Sequence, residues 1–296
     1  MNTFKKIGLT ALAGSLVVTS AYAGAVSVAG GASMGVKNNK GNTGKSWTMG
    51  NQLTFTGSGE LDNGMNVSIS FVLDQADDST TTGTAHNGTS PFDSHSVTVS
   101  SDAMGSLTMH GEGGSSAQSA LDTTAAGDIW DTFDGTTGTT VFSSTTSDNM
   151  IGYTLPSLGV DGLSVSASYV PQAAGAASSL SYAATYTGIE GLSVSYGVGE
   201  QETDSAKQGD TTTMKASYAY GPVTVAYSNN DHATEETSKD QETTSYSVSY
   251  TVSDAISVSY GEETIDEEGN ALDAEFSKLA VSYTSGGMTV SASSRE

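Results

Sequence analysis

The sequence has no cysteine, only four prolines and only ten basic residues among 296. Without cysteine, the chain can form neither disulfide bonds nor thiolate metal sites. The basic residues are outnumbered by 33 acidic ones, which gives a formal net charge of −23. Because so acidic a surface repels nucleic acid and attracts cations, we expect cations, and no nucleic acid, among the partners of this protein.

The N-terminus is the one strongly apolar stretch of the sequence. An apolar run over residues 7–18 follows Lys5 and Lys6, and residues 21–23 read Ala-Tyr-Ala. This pattern predicts a secretory signal peptide over residues 1–23 and a single domain over residues 24–296. The rest of the chain has no apolar run of the ~20 residues that a membrane-spanning helix needs, whereas a barrel strand needs only about 9–11 residues, half of them apolar.

A short phrase recurs six times, in which small polar residues alternate with apolar residues before a closing tyrosine. The copies are GLSVSASY (162–169), GLSVSY (191–196), PVTVAY (222–227), TTSYSVSY (243–250), AISVSY (255–260) and KLAVSY (278–283). Because side chains alternate across a strand, the phrase places apolar groups on one face and small polar groups on the other. Such a strand can cover a protein core, or it can face lipid while it lines an aqueous lumen.

The whole chain reads as fifteen strands whose connections alternate between short and long. The strands are predicted at 25–36, 46–59, 65–73, 95–101, 105–112, 149–155, 163–170, 179–187, 192–200, 211–220, 223–228, 243–252, 256–262, 274–284 and 288–293. Tight turns such as Gly221-Pro222 alternate with long polar stretches such as residues 74–94 and 113–148. Outer-membrane barrels show this alternation, whereas a Greek-key sandwich or a β-helix does not. We therefore predict an all-β, transmembrane antiparallel up-and-down β-barrel.

The small residues of the repeated phrase indicate what fills the barrel. A soluble barrel of this size must fill its interior with large side chains, which serine, glycine and alanine cannot do. The interior is therefore predicted to contain water. The tyrosines that close apolar runs suit an interfacial girdle, in which the ring is buried and the hydroxyl is wet. They are Tyr169, Tyr196, Tyr227, Tyr260 and Tyr283.

Three stretches resemble the Gram-negative general-diffusion porins of the alphaproteobacterial type. They are LTFTGSGELDNGMNVSISFVLDQ (53–75), VTVSSDAMGSLTMHGE (97–112) and SDNMIGYTLPSLGVDGLSVSASYVP (147–171). The resemblance implies a 16-stranded barrel in outer-membrane lipid, usually a homotrimer, that conducts small hydrophilic solutes. It also implies that the third long loop, residues 113–148 here, folds into the lumen and narrows it. Three residues of this loop are able to pack against the barrel wall and hold the loop there: Ile129, Trp130 and Phe133.

The resemblance places the pore constriction on five carboxylates. Glu112 lies at the root of the loop, and the four loop aspartates are Asp122, Asp128, Asp131 and Asp134. Porins usually face this acidic loop with a basic cluster, but most lysines of this chain lie in predicted loops and only Lys215 and Lys278 lie within predicted strands. We therefore expect a more uniformly negative pore that prefers cations.

The C-terminus departs from the family pattern. Porins finish on an aromatic residue, whereas this sequence stops at Ser294-Arg295-Glu296. Single-chain bacterial barrels have even strand numbers, and fifteen strands are read here. Either the sixteenth strand is missing from this sequence, or one strand is miscounted.

The sequence supports two other classes of function less well than it supports a channel. A secreted or surface-anchored structural β-protein without a channel would explain the acidic composition, but Asp266, Glu268, Asn270 and Asp273 do not match a calcium-binding EF-hand. An enzyme would need a catalytic constellation, and the four histidines, His86, His95, His110 and His232, occur in neither an HExxH nor a GxSxG context. We expect no catalytic residues, no cofactor and no bound metal.

Overall fold

The computed structural model describes residues 26–38, 45–75, 93–132, 141–146, 148–171, 177–202, 208–235, 239–270 and 273–296. The predicted signal peptide, residues 1–23, lies outside these ranges. The chain divides into two compact units, Met1–Gly113 and Gly114–Glu296. The described residues contain no helix that is long and apolar enough to cross a membrane.

The first unit is a meander of five antiparallel strands. They are β1 (Ser27–Asn38), β2 (Lys45–Glu60), β3 (Asn66–Gln75), β4 (Ser94–Ser101) and β5 (Gly105–Glu112). Each strand pairs with the next one along the chain. The turn between β2 and β3 contains Gly64 at φ 79°, a conformation that glycine adopts without strain.

The second unit continues the same pattern with ten strands, each again paired antiparallel with its neighbour in sequence. They are β6 (Met150–Thr154), β7 (Leu163–Val170), β8 (Ser179–Tyr186), β9 (Leu192–Gln201), β10 (Gly209–Tyr220), β11 (Val223–Thr234), β12 (Gln241–Ser253), β13 (Ile256–Glu267), β14 (Ala274–Ser285) and β15 (Met288–Arg295). The all-β, up-and-down antiparallel fold with fifteen strands is thus confirmed in the described residues. The sixteenth strand stays a prediction.

Several strands of the second unit, β11, β12 and β13 among them, are longer than the sequence predicts. The polar stretch after Ser228 was expected to be a loop, but it continues β11 as far as Thr234, because residues 209–214 and 241–244 pair with it on both sides. β12 and β13 extend in the same way, to Gln241 and Glu267. Strand propensity is weak, and cross-strand pairing overrides it here.

The sheet of the second unit has two chemically different faces. Residues 114–132 and 141–146 pack on one of them, which we call the loop face; it carries residues such as Ser181, Thr213 and Ser245. The opposite face, the bare face, holds the exposed tyrosines Tyr169, Tyr182, Tyr196, Tyr218, Tyr227, Tyr246, Tyr250, Tyr260 and Tyr283. The period-two alternation of the repeated phrase therefore separates these two faces as predicted.

Candidate functional site

Residues 114–132 and 141–146, which we call the segment, are held on the loop face by serine hydroxyls. The backbone N–H of Ala117 donates to Ser168 Oγ at 2.9 Å, and that of Gln118 donates to Ser181 Oγ at 2.7 Å. Further along, the N–H groups of Ala125 and Ala126 donate to Ser228 Oγ and Ser245 Oγ at 2.8 and 3.0 Å. A segment with almost no regular structure needs such acceptors, because buried N–H groups are costly when unpaired. Serines of the strands supply them, and two of these serines, Ser168 and Ser245, belong to the repeated phrase.

Glycines on the loop face give the segment room to approach the sheet. A Cβ placed on Gly261 would lie 2.7 Å from the Cβ of Ala126, and one on Gly199 would lie 2.6 Å from the Cβ of Ser144. Both distances are shorter than a normal carbon contact of about 3.5–4.0 Å. A larger side chain at either position would displace the segment.

Gln118 connects the two described pieces of the segment to two strands. Its side chain is fully buried, and its Nε2 donates to Thr213 Oγ1 at 2.6 Å and to Asn230 Oδ1 at 3.3 Å. Its Oε1 accepts the backbone N–H of Ser144 at 2.8 Å and the hydroxyl of Ser143 at 3.2 Å. All the polar groups of one uncharged amide are thus used to fix the segment on β10 and β11.

The second piece of the segment is fixed around Phe142. Its backbone N–H donates to Gln241 Oε1 at 3.0 Å, and its carbonyl accepts from Asn230 Nδ2 at 2.7 Å. The Phe142 ring contacts the imidazole of His232 edge to face, with centroids 4.9 Å apart, and His232 Nδ1 shares a 2.6 Å hydrogen bond with Thr211 Oγ1. His232 is thus a buried structural residue.

An apolar contact holds the middle of the segment. Ile129 is fully buried against Ile265 and Phe276, and Trp130 and Ala126 pack on the same cluster. Burying one such side chain is worth about 1.5–3 kcal/mol. The pinning role predicted for Ile129 and Trp130 agrees with this packing, whereas Phe133 lies outside the described residues.

The structure brings together some of the predicted constriction carboxylates. Asp122 and Asp128 are half-buried, Asp131 is exposed, and all three lie on the segment; Asp134 lies outside the described residues. Glu112 ends β5 in the first unit, where its carboxylate is 3.9 Å from His95 Nδ1. Their role in ion passage stays a prediction.

Asp128 also has a structural role in the segment. Its Oδ1 accepts the backbone N–H of Thr124 at 2.9 Å, and its own N–H donates to Thr124 Oγ1 at 2.8 Å. The residue has φ 49°, a left-handed conformation that aspartate and asparagine adopt more readily than most residues. The reciprocal bonds close a tight turn over residues 124–128.

One lysine lies among the loop aspartates. Lys215 on β10 donates from Nζ to the carbonyl oxygen of Thr123. Burial raises the pKa of the Asp122 carboxyl above its ordinary value and Asp128 adds to the rise, while a hydrogen bond with Ser143 and the charge of Lys215 act in the opposite direction. Burial therefore outweighs the nearby cation at Asp122.

Sequence reasoning missed two residues that fix this segment, Gln118 and Glu263. Glu263 on β13 accepts hydrogen bonds from Thr124, Ile129 and Trp130. Neither residue belongs to a motif, and Glu263 lies one residue beyond the strand predicted at 256–262, where the sequence predicts a polar connection. Across the described residues, no group of three or more histidine, aspartate and glutamate side chains could hold a metal ion.

A family model and a set of solved structures match this chain. The family model described as Gram-negative porin matches residues 8–293. Among solved structures, a mutant of the Rh. blastica porin has a TM-score of 0.67 and 17% identity, over 92% of this chain and 94% of that chain. A second mutant has a TM-score of 0.67 and 16% identity, and a triple mutant of the Rhodopseudomonas blastica porin has 0.66 and 17%, with the same coverage. These likenesses show a porin barrel fold. No curated protein matches the chain.

Proposed function

The chain belongs to the Gram-negative porin family over residues 8–293, and from this premise we propose that it forms a cation-preferring, water-filled channel for the passive diffusion of small hydrophilic solutes. The family and its fold are those of outer-membrane channels rather than enzymes, so the protein is located in the outer membrane. Membership in a channel family also argues against the alternative of a secreted structural or adhesive β-protein.

The observation that carries the proposal is the acidic segment fixed on the loop face. In a barrel whose bare face contacts lipid, the loop face lines the lumen. The segment then reduces the open cross-section, as a porin constriction loop does. Serine, threonine and glycine around it leave the remaining lumen hydrophilic and uncrowded, which suits hydrated solutes.

The bare face supports the assignment of the lipid side. On β12, for example, the exposed Val248 lies between the exposed Tyr246 and Tyr250. Membrane barrels carry an apolar band between two aromatic girdles, because the aromatic ring suits the headgroup region. On this basis the partners are outer-membrane lipid on one face and small hydrophilic solutes and cations on the other.

The negative charge of the segment supports the proposed preference for cations. The segment carries Asp122, Asp128 and Asp131, and Lys215 is the cation that bonds to it in the described residues. Carboxylates around a constriction favour cations, and the effect weakens when salt shortens the Debye length below about 10 Å. A homotrimer is the assembly that the family leads us to expect.

We expect a reversal potential of the cation-selective sign when the native protein is reconstituted in a planar bilayer under a KCl gradient. The preference should decline when the ratio of the two KCl concentrations is kept and the lower concentration is raised to about 1 M, where the Debye length is about 3 Å. A reversal potential near zero, or of the anion-selective sign, at low salt would refute the cation preference and leave the channel assignment intact.

The raised pKa of Asp122 predicts an early loss of cation preference on acidification. A carboxyl with a raised pKa becomes neutral at a higher pH than an ordinary aspartate, whose pKa is about 3.9, so selectivity should begin to fall at a higher pH than that value implies. In D122N, the fall of cation selectivity that begins above the ordinary aspartate pKa should be absent. D131N, which alters an exposed carboxyl of the same segment, should retain it. Identical pH curves for the native protein and D122N would contradict the prediction.

A further inference from the structure

Glu263 is a buried carboxylate on the loop face of β13. Its exposed fraction is 1%. Within the described ranges, the ion pairs involve other glutamates, Glu112 with His95 and Glu267 with Lys239, and no basic group pairs with Glu263. A buried carboxylate without a cation is costly unless hydrogen bonds compensate it. Hydrogen-bond donors must therefore compensate the buried carboxylate of Glu263.

Three donors to Glu263 come from the segment. Thr124 donates its hydroxyl to Oε2 at 2.7 Å, Ile129 donates its backbone N–H to Oε2 at 3.3 Å, and Trp130 donates its backbone N–H to Oε1 at 3.2 Å. Hydrogen bonds to an ionised acceptor are stronger than those between neutral groups. Displacing the segment would remove these three donors together.

The position of these donors connects Glu263 to the acidic stretch. Thr124 and Asp128 close the reciprocal turn, and Asp122 and Asp131 flank the donors on either side. The serine contacts of Ala125 and Ala126 are bonds between neutral groups and are individually weaker. Among the described residues, Glu263 is thus the charged strand residue whose hydrogen bonds span the turn.

We propose that Glu263 is a positioning residue that fixes the distance of the acidic stretch, residues 122–131, from the barrel wall and thereby sets the effective aperture of the pore. The inference rests on the proposed channel function and deepens it. Without the carboxylate the stretch fluctuates between the wall and the lumen, so the current through an open channel becomes unsteady and the size limit for solutes becomes less sharp.

The chain offers a matched control one residue away. Glu262 lies on the bare face, where the hydroxyls of Tyr246 and Tyr260 donate to its carboxylate. It has the same side chain on the same strand and makes no hydrogen bond to the segment in the described structure. E262Q and E263Q therefore differ in the face on which the charge is lost.

The experiment is single-channel recording of native protein, E262Q and E263Q, combined with liposome swelling by neutral sugars of increasing size. For E263Q we expect brief partial closures to become about tenfold more frequent, as the loss of one charge-assisted bond implies, and larger sugars to enter. E262Q should match the native protein in both measurements. Folding of each variant is checked by heat-dependent migration on a gel.

A disulfide rescue separates loop positioning from a general loss of barrel stability. Because a Cβ on Gly261 would lie 2.7 Å from the Cβ of Ala126, cysteines at both positions can be bridged after the segment shifts outward to the usual Cβ separation of about 3.8 Å. The chain has no other cysteine. In the triple variant A126C/G261C/E263Q, oxidation should restore the steady current and dithiothreitol should abolish it. The double variant A126C/G261C carries the same displacement by the cysteine at position 261 but keeps Glu263, so after reduction the current of the triple variant should be less steady than that of the double variant.

A steady current and a native size limit in folded E263Q would overturn the inference. If E263Q does not fold, T124V, which removes one donor to Glu263, tests the same contact, and a steady current in T124V would overturn it. The proposed function fails separately, since in that case the native protein itself would give no conductance steps.

Discussion

Replacing the four loop aspartates by asparagine will lower the ratio of cation to anion permeability by at least about twofold at about 0.1 M KCl, where the Debye length is ~10 Å. Asparagine keeps the size of the side chain and the carbonyl acceptor, and it tolerates the left-handed backbone of Asp128. The change therefore removes charge with little effect on the fold of the segment. The measurement is the reversal potential under a KCl gradient.

The matched control removes the same number of charges from turns outside the segment. Four exposed aspartates lie in tight turns of the two units: Asp62, Asp102, Asp161 and Asp254. Their replacement by asparagine changes the net charge equally but leaves the segment intact. We expect this control to keep most of the native preference at the same salt concentration. Equal losses in both variants would mean that total charge, rather than the constriction, determines selectivity.

An arginine in place of Val248 will destabilise the folded barrel in lipid by about 2–4 kcal/mol, the cost of a basic residue at the middle of the lipid face. Val248 is 43% exposed on the bare face of β12, between Tyr246 and Tyr250 and opposite Val225 and Tyr260. The proposed orientation places this side chain in the hydrocarbon region. The measurement is equilibrium unfolding by urea in phospholipid vesicles.

Ser249→Arg provides the control for Val248→Arg. Ser249 is the next residue of β12 and points to the loop face, opposite Thr224 and Ser259. An arginine there enters the aqueous lumen, so we expect little change in unfolding free energy and a shift of selectivity towards anions. A larger destabilisation by Ser249→Arg than by Val248→Arg would reverse the assignment of the two faces.

The sequence predicted the faces of the strands better than the contacts across them. Period-two alternation is a local property, and it placed Val248 and Ser249 on opposite faces. The bonds that fix the segment are not local: Gln118 and Thr213 are separated by 95 residues, and Thr124 and Glu263 by 139. No pattern in a single sequence reports such pairs. Gln118 carries no charge and lies in no motif, so it could not be distinguished from other polar loop residues.

Strand ends were predicted less well for a related reason. The stretch Asn229–Thr234 is polar on both faces, so its composition suggested a loop. In the structure Asn229 donates to Glu242 Oε1 at 2.6 Å across the sheet, and Asn230 and His232 contact Phe142 on the loop face. Polar residues extend these strands because both neighbouring strands and the segment supply partners. The third long loop and its aspartates were predicted through family resemblance, since the spacing of the acids alone would not have distinguished them from solvated loop residues.

The central claim is that this protein encloses an open, water-filled path, and liposome swelling tests it most directly. Folded native protein reconstituted in vesicles should admit small neutral sugars, with a swelling rate that falls steadily as the sugar becomes larger. This result needs no charge on the solute, so it is independent of the cation preference. Absence of swelling with the smallest sugar, from protein shown to be folded and inserted, would contradict the claim.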